Sequence, residues 1–92
     1  MSATVWKYDV PLGFDCDREL PRGARVVHVA AQHPESAESV QFWAEVDTTQ
    51  PMETRQFFIA GTGHPVRPEA IYLGTAIVCD GELVWHLYEV PR

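Results

Sequence analysis

Few residues in this chain have the type and spacing to do chemistry, and the most conspicuous group is Gly61-Thr62-Gly63-His64-Pro65, with Arg67 just beyond it. Glycines tolerate positive φ, so backbone amides around Thr62 could converge into a small anion-binding nest. Thr62, His64 and Arg67 would add donors, and the ligand would be a small nucleotide-like anion. The competing reading makes the glycines a tight exit from a strand, with Thr62 bonding a local backbone group and His64-Pro65 fixing the direction. Glycine-rich strand exits are far commoner than ligand nests, so the turn ranks first. A nucleoside-triphosphatase phosphate loop is excluded. It needs a lysine and then Ser or Thr leading into a helix, whereas Lys7 is the only lysine and Pro65 and Pro68 interrupt any helix.

Other chemistries fare worse. The only serines are Ser2, Ser36 and Ser39, at a terminus or in an acidic loop, and no nucleophile elbow surrounds them. Carboxylates are spread through loops and outward strand positions, so no acid–base pair is expected and no catalytic residue is assigned. His28, His33, His64 and His86 have no ligand spacing, and His28 and His86 sit inside strand patterns, where a satisfied histidine is commoner than a ligand. A meeting of His28 with His86 would favour a metal; otherwise neither metal nor cofactor is expected. Cys16 and Cys79 are expected to be reduced, and Asp15 and Asp17 should suppress the Cys16 thiolate. Trp6, Tyr8, Trp43, Trp85 and Tyr88 could stack on bases, but in a chain this small they read first as core residues.

Composition narrows the function classes. The 92 residues suit a single domain spanning 1–92, and 46% hydrophobic with 22% charged residues is ordinary for a folded protein. The net charge of −6 and six scattered arginines disfavour nucleic acid. Apolar runs are short and no basic leader precedes one, so the expectation is a soluble cytoplasmic protein that does not enter membranes.

The elements that must position these residues are strands. Trp6, Tyr8 and Val10 alternate with Lys7 and Asp9, and Pro11-Leu12-Gly13 ends that strand. A weak strand is expected over Phe14–Leu20, and a β-branched one over Ala24–Ala31, in the middle of the structure. Residues 32–39 read as an exposed loop. Val40–Val46 and Arg55–Ala60 alternate and are expected to be antiparallel neighbours joined by 47–54. Ile71–Cys79 and Glu82–Val90 flank Asp80-Gly81, which suits a type I′ hairpin. That register sets Ile77 against Val84, Ala76 against Trp85, Thr75 against His86, Gly74 against Leu87 and Leu73 against Tyr88. Residues 67–70 suggest one helical turn. No sustained helical period appears, so the fold class is all-β: a small antiparallel barrel or sandwich of six to seven short strands with a C-terminal Asp-Gly hairpin.

Trp6-Lys7-Tyr8, Pro21-x-Gly23-Ala24, Trp43-Ala44-x-Val46-Asp47 and Phe57-x-Ile59-x-Gly61-Thr62-Gly63-His64-Pro65 together resemble an uncharacterised family of short bacteriophage proteins, mostly from phages of actinobacterial hosts. The resemblance continues in Tyr72-Leu73-Gly74-Thr75 and His86-Leu87-Tyr88-Glu89 and does not extend to the 33–39 loop. It implies a phage gene product in a bacterial cytoplasm and transfers no activity. The functional expectation is a non-enzymatic accessory protein that binds a host or phage protein. A nucleotide-like ligand at Gly61, Thr62, Gly63, His64 and Arg67 is the alternative. Strands apolar on both faces exceed what one small core can cover, so self-association into a homo-oligomer is also expected.

Overall fold

The computed structural model describes residues 2–13, 15–35 and 38–91. Phe14, at the start of the second expected strand, and Ser36, one of the serines weighed above, lie outside them. The chain is all-β: β1 (Ala3–Pro11), β2 (Cys16–Pro21), β3 (Arg25–Ala30), β4 (Ser39–Asp47), β5 (Met52–Gly61), β6 (Ile71–Val78) and β7 (Leu83–Val90). All pairing is antiparallel, in a three-stranded sheet of order β1-β4-β3 and a four-stranded sheet of order β2-β5-β7-β6.

Alternation decides what lies between the sheets. Tyr8 and Val10 of β1 and Val40, Phe42, Ala44 and Val46 of β4 face inward, against Leu20 of β2, Phe57 of β5 and Leu87 of β7. Phe42 and Phe57 meet across the gap with ring centroids 4.8 Å apart. This contact corrects the expected pairing of 40–46 with 55–60. Those segments share a core face to face, in different sheets, instead of lying side by side. Alternation reports which face of a strand is buried and says nothing about its lateral neighbour. The connection turns sharply at Asp47, whose carboxylate accepts from the backbone N–H and hydroxyl of Thr49, and crosses over through Pro51.

Three further expectations are corrected. Residues 24–31 do not form a central strand: β3 is an edge, bulged between Val26 and His28, and the central strand of its sheet is β4. In the C-terminal hairpin the pairs from Gly74–Leu87 to Ile77–Val84 stand as expected, but a bulge at Leu73 puts Tyr72, not Leu73, opposite Tyr88. The Asp80-Gly81 turn has both residues at positive φ, and Cys79 joins them at φ 52°. Residues 67–70 form a β-turn, Ala70 N–H to Arg67 C=O, with Pro68 at its second position, and no helical turn.

The two bulged edges meet. A Cβ on Gly74 of β6 would lie 2.6 Å from Val29 Cβ on β3, so the bare glycine backbone is what lets these strands close one side of the sandwich. Glu89 also departs from expectation, since it faces inward rather than outward. Its carboxylate takes two bonds from Arg55, at 2.6 and 2.7 Å, and Arg55 also donates to Ala24 C=O. An ion pair this sequestered holds only because its hydrogen bonds are satisfied.

Candidate functional site

The glycine-rich segment leaves β5 where that strand runs beside β7. Gly61 is the last residue of β5, paired with Trp85 of β7, and its C=O accepts from His64 N–H at 3.0 Å, closing a four-residue turn. Gly63 occupies the third position at φ 87°, a conformation that favours glycine. Gly61, by contrast, is not at positive φ, and its requirement is spatial. A Cβ there would lie 2.9 Å from His64 Cε1 and 3.0 Å from Trp85 Cζ3, so the histidine and indole rings converge on the bare backbone.

Several donors of the expected nest are engaged within the protein. Gly61 N–H donates to His64 Nδ1 at 3.2 Å, which leaves Nδ1 unprotonated and puts the neutral ring's proton on Nε2. His64 N–H is used by the turn. Arg67 gives one guanidinium nitrogen to both oxygens of Asp15, at 2.9 and 2.7 Å, and its Cζ sits 4.7 Å from the Phe58 ring centroid. Thr62 Oγ1 lies 3.1 Å from His86 Nε2 rather than on a backbone group. The five residues are thus brought to one end of the sandwich, with Arg67 set apart against Asp15 and Phe58.

Two shallow clefts open there, about 420 Å³ and 360 Å³, and share Gly61, His64 and Trp85 as a common wall. Leu12, Asp15, Phe58 and Ile59 complete the first; Thr62, Glu82, Leu83 and Val84 complete the second. Both contain a carboxylate. Among the described residues the buried Trp85 indole N–H has no hydrogen-bond partner.

Sequence reasoning missed the outer face of the four-stranded sheet. His86 is held at both nitrogens, by Thr62 and by Thr75 Oγ1 at 3.0 Å, and Thr75 in turn bonds the Tyr72 hydroxyl. Beside this chain the rings of Phe58, Tyr88 and Tyr72 run across β5, β7 and β6, with centroid spacings of 5.4 and 5.6 Å. The Thr75–His86 register was legible from the hairpin; the aromatic row was hidden by the bulge that swaps Tyr72 for Leu73. Tyr72 and Ile77 are 55% and 62% exposed. The acidic groups Asp17 and Glu19 on β2 stand at one margin of this face, with Glu69, Asp80 and Glu82 in the flanking turns.

His28 lies on the opposite outer face, its ring 5.6 Å from Trp43, and does not meet His86. Among the described residues no group of three or more His, Cys, Asp and Glu is placed to hold a metal ion. Cys16 is buried in the core, and burial, more than the neighbouring Asp17, pushes its thiol pKa up. Among the described residues no helix is long and apolar enough to cross a membrane.

A family model described as a domain of unknown function, DUF7352, matches residues 1–92, and the chain belongs to that family. No curated protein and no solved structure matches it.

Proposed function

We propose that this family member is a non-enzymatic binding module that docks a partner protein on the outer face of its four-stranded sheet. The observation that carries the reading is the exposure of Tyr72 and Ile77 on β6, next to Tyr88 and Val84 of β7. Large side chains of this kind, grouped on one face, mark interaction surfaces more often than isolated exposed residues do. Aromatics are the residues most enriched at the centres of such interfaces. A standard interface takes roughly 800 Å² from each partner, about a seventh of the 5460 Å² surface of this chain.

The charges select the partner. Asp17, Glu19, Glu69, Asp80 and Glu82 border the face, and Arg67, the cation beside it among the described residues, is tied to Asp15. A surface with aliphatic knobs ringed by Lys and Arg complements this arrangement, and opposite charge speeds its association. Two copies of the chain, each at −6, would meet acid to acid. The resemblance to phage proteins supports a setting in the bacterial cytoplasm, with a host or phage protein as the partner.

The test is affinity capture from actinobacterial lysate, with and without phage infection, at low salt. The expected result is a basic protein that is released by added salt and is not captured by the Tyr72→Ser/Ile77→Ser variant. Repeated failure to enrich any protein, or capture indifferent to both substitutions, would overturn the proposal.

A further inference from the structure

We infer that the first half of β1 is a strand-docking edge, and that it takes an extended antiparallel segment of a second protein with an acidic residue at its start and a basic residue four positions on. The register fixes which backbone groups are free. Thr48 N–H donates to Ser2 C=O at 2.9 Å and Leu12 N–H to Glu38 C=O at 3.1 Å, both in step with the β1–β4 pairing. Even-numbered residues of β1 therefore turn their backbone groups toward β4, and odd-numbered ones turn theirs away. Beyond Lys7 this outer edge is guarded: Arg18 Nε donates to Asp9 C=O at 2.9 Å, and Pro11 has no N–H. The N–H and C=O groups of Ala3, Val5 and Lys7 have no partner among the described residues, and all three residues are exposed. The other edges are blunted by the devices natural sheets use. β2 carries Asp17 and Glu19 and ends in Pro21, whose C=O accepts from Ala24 N–H; β3 and β6 are bulged and packed on each other at Val29 and Gly74.

The side chains along the edge set the ligand's pattern. By alternation Trp6 shares the inward face with Tyr8 and Val10, yet it is 38% exposed and Thr4 beside it is exposed. The four-stranded sheet thus leaves this end partly uncovered, and apolar side chains of an added strand would cover it. On the outward face Lys7, with one hydrogen bond to the Gln32 side chain, keeps two ammonium donors for a carboxylate. At the other end Ala3 is paired with Asp47 and Val5 with Glu45, so a basic side chain opposite Ala3 reaches over a single methyl group toward carboxylates. An antiparallel strand with its acid first meets both ends. A second copy, in the register that satisfies all the free groups, sets Ala3 opposite Lys7, supplies no acid there and brings −6 against −6. This edge belongs to the three-stranded sheet, and the inference does not rest on the docking face of the other sheet.

The probe is the end-capped peptide Gly-Glu-Val-Thr-Val-Lys-Gly, which sets its Glu against Lys7, its Thr against Val5 and its Lys against Ala3. Its expected dissociation constant with the full chain is on the order of a millimolar. NMR of ¹⁵N-labelled protein reads solvent exchange at the Ala3, Val5 and Lys7 amides, expected to slow about tenfold at a peptide concentration roughly ten times that constant. N-methylation of the peptide's Thr removes an N–H aimed at Val5 C=O and is expected to abolish binding. Methylation of the Val before it, whose N–H points away from β1, is expected to leave affinity within about twofold. Val5→Pro removes a donor that β4 does not use and is expected to abolish the peptide's effect while the fold persists. Unchanged exchange at the three amides, equal binding by the two methylated peptides, or equal binding when Glu and Lys trade places overturns the inference. So does dimerisation of the chain alone with the same amides protected. The peptide comparisons decide the matter even if Val5→Pro does not fold.

Discussion

Asp47 shows how one side chain holds a crossover in place. Its carboxylate accepts from Ser2 N–H, Thr49 N–H and the Thr49 hydroxyl, and these bonds lower its pKa from 3.8 to about 2. A depressed carboxyl pKa contributes stability that is complete above the unfolded value and is lost as pH falls through the folded one. Denaturant titrations should therefore show stability falling between about pH 4 and pH 2, and Asp47→Asn should flatten that part of the curve; an unchanged slope would contradict the assignment. The cysteines offer a second residue-scale test. Cys16 is buried with its thiol pKa raised, while Cys79 is only half-buried, beside the hairpin turn. A thiolate reagent should modify Cys79 in the native protein and Cys16 only on unfolding. Equal rates at both would mean that β2 does not seat Cys16 in the core.

At the scale of elements, the sandwich depends on how its edges close. β3 and β6 carry one bulge each, and they approach where Gly74 sits against Val29. Gly74→Ala should cost about 1–3 kcal/mol by overpacking, and the cost should shrink by at least about 1 kcal/mol when Val29 is glycine. Purely additive effects would mean that these strands do not touch. The same elements show what was legible beforehand. The seven strands, the Asp-Gly hairpin and four of its five expected pairs follow from period-two alternation and turn chemistry, which are local properties. The partners of β4 and β5 do not, because alternation is equally satisfied by neighbours in one sheet and by faces of two. The Leu73 bulge was illegible for a related reason: it lies next to the contact of Gly74 with Val29 of β3, far away in sequence.

The whole molecule presents two unlike outer faces. On the three-stranded sheet, Gln41 is buried beneath bonds to Asp9, Ser39 and the backbone of Gln32, so Gln32 covers part of that face. That sheet leaves Val5 and Val27 exposed, whereas the four-stranded sheet exposes the larger Tyr72 and Ile77 within an acidic margin. The candidate ligand segment was legible in the sequence as a place and not as a set of contacts: Gly61 and His64 act through ring packing, and Arg67 through Asp15, neither of which spacing reveals. If the exposed face were covered by a second copy, sedimentation equilibrium at low salt would report a dimer. The acidic margin opposes the self-association expected from the apolar strands, and the docking reading predicts a 10.4 kDa monomer at tens of micromolar in its place.

The docking claim is tested most directly by hydrogen–deuterium exchange of the chain, free and in complex with the captured protein. Docking on the four-stranded sheet is expected to slow exchange in β6 and β7, centred on residues 72–77 and 84–88, with β1 unchanged. Protection confined to β1, β4 and β3, or spread evenly over both sheets, would contradict it.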